Sequence, residues 1–148
     1  MNYRPIIIVA GEPNSIFLEI YFKALKKKFK SPLILIASQN LIILQMKKLK
    51  FRKKIKLLNI NNLKKTKLDN KCINLINIDY KSSKAFEKIS SKSNKYIENC
   101  FNVGFELIKK FNLKGLITGP ISKDKFLKKK YLGLTEYISK KFNVKKSA

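Results

Sequence analysis

The sequence predicts an α/β fold in which helices flank a mainly parallel β-sheet. Short, continuous apolar runs alternate with longer amphipathic segments along the chain. Continuous apolar runs are typical of strands that helices cover on both faces, whereas strands with one wet face alternate apolar and polar residues. Strands separated by helical segments imply right-handed βαβ crossovers. At 148 residues, the chain is the size of one such domain.

The first half of the chain predicts three strands and two helices. Five consecutive apolar residues start the pattern at 6–10, and Ser15 can cap the helix that follows because its hydroxyl can accept a backbone N–H. Pro32 then introduces a second apolar run, which an amphipathic segment separates from a third. The predicted elements are strands 6–10, Leu33–Ala37 and 55–60 and helices 15–29 and 39–49.

The second half predicts two further strands and two helices. A polar, irregular stretch over 63–70 precedes them. Apolar residues then recur at helical spacing from 83 to 110, with an interruption expected near 90–93, where three serines lie. Residues 143–148 have the composition of a loop that leads to one more strand. The predicted elements here are strands 73–78 and 116–118 and helices 83–110 and 137–142.

The chain is strongly basic, and whether this charge indicates a nucleic-acid partner depends on which basic residues carry it. The chain has 34 Lys and Arg against 9 Asp and Glu, which gives a net charge of +25 at pH 7. Only Arg4 and Arg52 are arginines, although arginine is the residue expected where phosphates or bases are read. An excess of Lys, Ile and Asn is typical of an AT-rich coding sequence. We therefore favour solvated lysines, and keep a nucleic-acid-binding protein as the alternative.

Cysteine and histidine usage argues against a metal site in this chain. Cys72 and Cys100 have no metal-type spacing, and the chain has no histidine. We expect two buried, reduced thiols, as in a cytoplasmic protein. The apolar run near the N-terminus ends at Gly11 and Pro13 and is far shorter than the ~20 residues of a membrane span. The sequence therefore predicts a cytoplasmic protein without a membrane partner.

Two strand ends carry the residues most typical of a ligand site. Gly11, Glu12 and Pro13 follow the first strand, and Thr118, Gly119, Pro120 and Lys123 follow or end the last. Loops at the carboxyl ends of parallel strands bind ligands in many α/β proteins, and free N–H groups at a following helix can meet an anion. The structural alternative is a tight turn and a helix cap with a solvated lysine. Neither loop has a dinucleotide-binding or P-loop motif.

Glu12 and the aromatic residues each have two readings. Glu12 could be an acid or base, but a carboxylate beside Pro13 is more often a turn residue that accepts neighbouring N–H groups. We favour the turn residue.

The aromatics at helical spacing are predicted to be core residues, although aromatics interleaved with lysines can also stack on single-stranded nucleic acid. They are Tyr21, Phe22, Phe86, Tyr96, Phe101 and Phe105.

A third motif, Gly133-Leu134-Thr135-Glu136, completes a resemblance to a known family. Together with Gly11-Glu12-Pro13 and with Ile117-Thr118-Gly119-Pro120 followed by Lys123, it resembles the 4-hydroxythreonine-4-phosphate dehydrogenases, which make a vitamin B6 precursor. The family pattern is T-P-G-E-P-A-G-I-G, then I-T-G-P-x-x-K, then G-H-T-E, in this order. The resemblance covers about the N-terminal half of such an enzyme. We therefore expect residues 1–148 to be the N-terminal portion of a larger dehydrogenase whose C-terminal half is absent.

The resemblance implies a fold and an activity. The fold is that of the isocitrate and isopropylmalate dehydrogenases, and the enzyme is a homodimer. It uses NAD to oxidise the secondary alcohol of a phosphorylated hydroxy amino acid, and the β-keto acid that forms loses carbon dioxide. A divalent metal (Zn, Mg or Co) held by three histidines grips the substrate hydroxyl. Those ligands are not in this chain, so the chain alone is expected to be inactive.

The sequence departs from the family pattern within two of the motifs, and the spacer between Lys123 and Gly133 is also slightly shorter. Leu134 stands where the family has a substrate-binding His, so only Thr135 carries over as a substrate contact, and its alternative role is the N-cap of the last helix. Phe17 stands where the family has small residues, so an aromatic ring lies where backbone could approach a ligand. A related dehydrogenase for another phosphorylated hydroxy acid therefore remains an open alternative.

Overall fold

A parallel five-stranded sheet forms the centre of the protein. A computed structural model describes residues 3–142, so residues 143–148, predicted to lead to a further strand, lie outside the described residues. The strands run in the order β3-β4-β2-β1-β5, and all four pairs are parallel. The elements are β1 Ile6–Val9, α1 Phe17–Ala24, β2 Leu33–Ala37, α2 Gln39–Lys48, β3 Ile55–Leu57, β4 Ile73–Asn77, α3 Asn94–Lys110, β5 Gly115–Thr118 and α4 Leu134–Phe142. The predicted fold class is confirmed.

Helices cover both faces of the sheet. On one face, α1 and α2 pack Leu18, Phe22 and Leu41 against a set of strand residues that includes Leu35. On the other face, α3 packs Phe101 and its neighbours against residues such as Ile7, Val9 and Ile36. Helix α4 lies on the α3 face, where the ring of Tyr137 meets that of Phe101 at 5.5 Å between centroids. The chain therefore leaves β1 and β5 towards opposite faces of the sheet.

The boundaries of the first helix and the third strand differ from the prediction for local reasons. Helix α1 begins at Phe17 rather than at Ser15, and it ends at Ala24 before the lysines of 26–28. The hydroxyl of Ser15 still accepts the N–H of Phe17, at 3.2 Å. Strand β3 stops at Leu57 because a 3₁₀ segment, Ile60–Lys65, follows, and this turn also replaces part of the stretch predicted to be irregular.

The predicted helix over 83–110 is wrong in its first third. Residues 83–90 form no helix, and α3 begins at Asn94 after a 3₁₀ turn over Ser91–Ser93. The serines explain the difference, since their hydroxyls bond to nearby backbone and so compete with helical bonds. Ser82 Oγ donates to the carbonyl oxygen of Lys84 at 2.6 Å, and Ser90 Oγ accepts the N–H of Lys92 at 3.4 Å.

Burial confirms the aromatic core with one exception. Five of the six predicted aromatics are buried, and Phe86 is partly exposed because it lies in the irregular segment before α3.

Cys100 is buried as predicted, but Cys72 is half-buried, since it lies at the sheet end beside the exposed Asp69 and Lys71. Both cysteines are free thiols. None of the helices within residues 3–142 has the length and apolarity to cross a membrane.

Candidate functional site

The loops that follow β1 and β5 meet at the carboxyl edge of the sheet. The N–H of Glu12 donates to the carbonyl oxygen of Pro120 at 2.8 Å, and the N–H of Gly119 donates to that of Val9 at 2.7 Å. Because β1 and β5 are adjacent and lead to helices on opposite faces, this junction is a topological switch point of the sheet. Such switch points are where open α/β sheets bind ligands.

Two glycines allow the loops to approach this closely. Gly11 has φ +73°, and a Cβ on it would lie 2.4 Å from the carbonyl oxygen of Pro120. A Cβ on Gly119 would lie 2.1 Å from the carbonyl oxygen of Ala10 and 3.0 Å from the ring of Phe17. The two predicted ligand loops therefore form one unit, with glycine required on both sides. The sequence predicted that Phe17 would place an aromatic ring where a ligand could approach the backbone. In the structure, the ring of Phe17 packs against Gly119.

Glu12 holds the first loop in place from inside. It is 3% exposed, and its carboxylate accepts the N–H of Asn14 at 3.3 Å and the hydroxyl of Ser93 at 3.1 Å. Burial raises the pKa of Glu12 above its ordinary value, and the bonds from Asn14 and Ser93 oppose that shift. The predicted turn residue is thus found, and it also ties the loop to the start of α3.

The backbone N–H groups of the loop before α1, near which an anion was expected, bond within the protein. The N–H of Glu12 donates to the carbonyl oxygen of Pro120, and the N–H of Asn14 donates to the side chain of Glu12. The N–H of Ser15 donates to the carbonyl oxygen of Glu12, and the N–H of Phe17 donates to Ser15 Oγ. These donors are therefore occupied within the protein. The acceptor of the Glu12 N–H, the carbonyl oxygen of Pro120, belongs to a residue far along the chain.

The remaining predicted loop residues lie around this junction. Pro13 is buried, and its carbonyl oxygen accepts Nε2 of the buried Gln45 from α2 at 3.0 Å. Thr118 ends β5 and is half-buried. Residues 119–122 form an irregular connection rather than the predicted tight turn. Lys123 is exposed and starts a five-residue π-helical turn. Ser122 caps this turn, since its hydroxyl accepts the N–H of Lys125 at 3.2 Å.

Strand β5 itself was predicted to be buried, but it is an edge strand with Ile117 exposed.

The third predicted site segment lies in a separate element. Leu134 starts α4 and packs against the core on the α3 face, whereas Thr135 is exposed in the first turn. Because α4 begins one residue before Thr135, the alternative role of Thr135 as N-cap is wrong. Glu136 instead accepts the N–H of Leu132 at 2.6 Å and so stabilises the entry to the helix.

A second polar groove, which no sequence motif indicated, lies at the carboxyl edge of the sheet. A cavity of about 540 Å³ lies where β2 and β4 end, and its lining includes Ser38, Asn40, Asp79, Tyr80 and Ser82. Here too, adjacent strands lead to helices on opposite faces. Polar residues directly after two apolar runs are the signal that could have indicated it. Its hydroxyl and amide groups bond partly to one another, as when Ser38 Oγ donates to the carbonyl oxygen of Tyr80 at 3.1 Å.

The described residues offer no metal centre. Within residues 3–142, no three His, Cys, Asp or Glu side chains are grouped so that they could hold an ion. The divalent metal that the sequence resemblance implies therefore does not fit the part of the chain that the structure describes.

Comparisons with known proteins define first the class of fold and then the family. At a TM-score of 0.83 and 17% identity, the structure matches a 4-hydroxythreonine-4-phosphate dehydrogenase from Burkholderia phymatum, covering 97% of this chain and 45% of that one. For the same enzyme from Klebsiella pneumoniae the TM-score is 0.77 at 16% identity, covering 93% and 44%. The fold is therefore that of these dehydrogenases. No curated protein matches the chain in sequence.

The family follows from the sequence itself. The family model for the pyridoxal phosphate biosynthetic protein PdxA matches residues 28–148, and the chain belongs to this family. The match includes the Thr118–Lys123 and Gly133–Glu136 motifs and begins after the Gly11 loop. The chain spans less than half the length of the solved enzymes that it matches.

Proposed function

We propose that this chain is the N-terminal portion of an NAD-dependent dehydrogenase that acts on 4-phosphohydroxy-L-threonine in vitamin B6 biosynthesis. The observation that carries the proposal is the junction of the Gly11 and Gly119 loops at a switch point, on a chain of the PdxA family. In the proposed enzyme this junction forms one wall of the ligand site. At this wall, bound NAD would supply the hydride acceptor for oxidation of the substrate's secondary alcohol.

The chain's own groups would bind and orient the substrate. Lys123 is an exposed cation directly after the β5 loop, where it can attract a phosphate. The exposed hydroxyl of Thr135 can donate a hydrogen bond to a substrate phosphate or carboxylate. Glu12 is too buried to reach the substrate and instead keeps the loop in position through Asn14 and Ser93.

The rest of the active site is assigned to polypeptide outside residues 3–142. No group of ligands for a divalent metal occurs in that range, so the metal and the residues that activate the substrate hydroxyl belong elsewhere in the complete enzyme. The 148-residue chain alone should therefore be inactive. The complete enzyme is proposed to be a cytoplasmic homodimer.

A related substrate is the second candidate, and Leu134 favours it. The side chain at this position packs against the core, so it offers no polar contact where the family pattern has His. Sites that hydrogen-bond a substrate group discriminate strongly against analogues that lack it. A dehydrogenase that lost this contact could act on a different phosphorylated hydroxy acid.

The test is an assay of the complete gene product for NADH formation. We expect turnover with 4-phosphohydroxy-L-threonine and NAD, and a loss of about tenfold or more in kcat/KM for Thr135→Val, since one hydrogen bond to a charged group is removed. Ser139→Ala, on the same helix, is the control and should keep full activity. A clear preference for another phosphorylated hydroxy acid would select the second candidate. A folded gene product that forms no NADH with any of them would refute both.

A further inference from the structure

A cavity beside α4 is lined by two residues whose buried polar atoms are not paired within the protein. It has a volume of about 330 Å³ and lies between the start of α3, residues 126–131 and α4. Asn94 Oδ1 and the hydroxyl of Tyr137 have no hydrogen-bond partner within residues 3–142. Buried polar groups are rarely left unpaired, so two of them beside one cavity indicate a ligand. We call this space the Tyr137 cavity.

The side chains of Asn94 and Tyr137 are both held in place. Asn94 Nδ2 donates to the carbonyl oxygen of Lys125 at 2.7 Å, which leaves Oδ1 as an unpaired acceptor. The side chain of Tyr137 is 5% exposed, and its ring packs edge-on against those of Phe101 and Phe126. Burial raises the pKa of Tyr137 to about 12, so its hydroxyl keeps its proton at neutral pH. The two residues therefore offer one acceptor and one donor.

The charges around the Tyr137 cavity favour an anion. The lining includes four lysines but only one carboxylate, that of Glu98, which pairs with Lys141 at 3.6 Å. The other three, Lys95, Lys128 and Lys130, are exposed and form no ion pair in the part of the chain that the structure describes. Cations around a concave surface create a local positive potential that attracts anions.

The backbone beside the cavity is strained. Lys128 and Lys129 have φ values of 49° and 60°, in the left-handed region that lysine seldom adopts. They follow the π-helical turn Lys123–Leu127, and the buried side chain of Leu127 fixes this turn to the core. Single π-helical turns and non-glycine residues in the left-handed region both occur frequently at functional sites. The strain therefore agrees with a ligand site here but does not define the ligand.

We propose that the Tyr137 cavity binds a phosphate group that carries a proton. The lysines attract its negative charge, the hydroxyl of Tyr137 donates to one phosphate oxygen, and Asn94 Oδ1 accepts the proton of another. Sulfate has the same shape but no proton near neutral pH, so Asn94 Oδ1 should repel it. Residues two apart in an α-helix lie on nearly opposite sides, so this site is separate from the substrate contact proposed for Thr135.

Calorimetric titration of the complete gene product with inorganic phosphate and with sulfate tests the proposal. We choose pH 6, where phosphate groups are largely protonated, and about 0.15 M salt, which screens exposed charges. Phosphate should bind about tenfold or more tightly than sulfate, because only phosphate can donate to Asn94. Tyr137→Phe should weaken phosphate binding by about tenfold, since one hydrogen bond to a charged group is lost. Asn94→Ala should remove most of the preference for phosphate over sulfate.

Control variants separate this site from other phosphate contacts and from misfolding. Lys128→Gln should weaken phosphate binding, whereas Lys84→Gln, which removes the same charge at an exposed position before α3, should not. Thr135→Val should also leave this binding unchanged. Without phosphate, Tyr137→Phe should resist urea at least as well as wild type, because it removes an unpaired buried hydroxyl.

Methyl phosphate distinguishes the two sources of such a group. Tighter binding than inorganic phosphate would assign the cavity to phosphate esters, and weaker binding would assign it to free phosphate.

Three results would overturn the proposal. The first is sulfate binding as tight as phosphate binding, since Asn94 would then accept no proton. The second is equal weakening by Lys84→Gln and Lys128→Gln, which would mean general attraction to a basic protein. The third is the absence of phosphate binding, or binding that Tyr137→Phe leaves intact. Because the readout is anion binding, an enzyme that fails the NADH assay can still pass this test, and the reverse also holds.

Discussion

The carboxylate of Glu12, directly after β1, accepts a hydrogen bond from the hydroxyl of Ser93 at the start of α3, at 3.1 Å. Both side chains are buried, at 3% and 0% exposure. The bond connects the first ligand loop to a helix on the opposite face of the sheet from α1. A buried carboxyl at this position makes the stability of the loop depend on pH.

The pH dependence of stability should change in Glu12→Gln. Burial raises the pKa of Glu12 above 4.5, so its stabilising contribution is complete below pH 4.5 and is lost as the pH rises through the folded-state pKa. Gln cannot ionise, and its amide can donate to Ser93 Oγ while that hydroxyl donates to the carbonyl oxygen of Ser90. The free energy of unfolding of Glu12→Gln relative to wild type should therefore increase with pH. Urea unfolding across this range measures it.

The control for that experiment is Glu106→Gln, an exposed carboxylate on α3. Its free energy of unfolding relative to wild type should not increase across the same interval. A relative stability of Glu12→Gln that falls as the pH rises would contradict the account, because it would mean that the folded protein favours the ionised carboxylate.

A methyl group on Gly119 should separate the two loops. The Cβ of Gly119→Ala would lie 2.1 Å from the carbonyl oxygen of Ala10, which is backbone and cannot rotate away. We expect the free energy of unfolding to fall by about 1–3 kcal/mol, as in other overpacked sites. In Gly115→Ala, the Cβ meets nothing within 4 Å, so the change should stay within about 0.5 kcal/mol. Equal effects of the two substitutions would disprove the close approach.

Restoring the family's histidine should not restore a substrate contact. Leu134 packs against the core, so Leu134→His should lower the free energy of unfolding by about 1 kcal/mol or more and leave kcat/KM of the complete gene product no higher. Leu132→His places the same side chain where the leucine is 91% exposed, and should be nearly neutral. A rise in kcat/KM for Leu134→His would show that position 134 faces the substrate.

The two cysteines should react at very different rates. Burial raises the pKa of the Cys100 thiol to about 12, and the side chain is 0% exposed, whereas Cys72 is half-buried. Since the thiolate is the reactive form, iodoacetamide should modify one cysteine in the folded protein and two after unfolding. Mass spectrometry of Cys72→Ser, which should stay unmodified when folded, identifies the site. Rapid modification of Cys100 would mean that α3 opens readily.

The parts of the fold that the sequence predicted best are those where local pattern and tertiary burial agree. The prediction of β2 as Leu33–Ala37 is confirmed residue for residue, since five apolar residues bounded by Pro32 and Ser38 leave few alternatives. The prediction of a helix from 83 onwards failed because apolar spacing does not reveal the serine–backbone bonds of Ser82 and Ser90. The burial of β5 was mispredicted because exposure depends on neighbouring elements that its own residues do not encode.

The site was predictable as two loops but not as a junction. Because ligands bind at the carboxyl ends of parallel strands in many α/β proteins, the sequence indicated both the Gly11 loop and the Gly119 loop. It could not show that the N–H of Glu12 bonds to Pro120, a residue far along the chain, and so is closed to an anion. The groove at β2 and β4 was missed because its polar residues form no motif and become neighbours only through the strand order.

The most direct test of the central claim is ligand-dependent amide exchange in the complete gene product. If the Gly11 and Gly119 loops form one wall of the active site, saturating 4-phosphohydroxy-L-threonine and NAD should slow exchange in residues 11–15 and 118–123 together. The 3₁₀ segment Ile60–Lys65, which follows the β3 edge, should not change and serves as the internal reference. Turnover accompanied by unchanged exchange in both loops would contradict the account and assign the active site elsewhere.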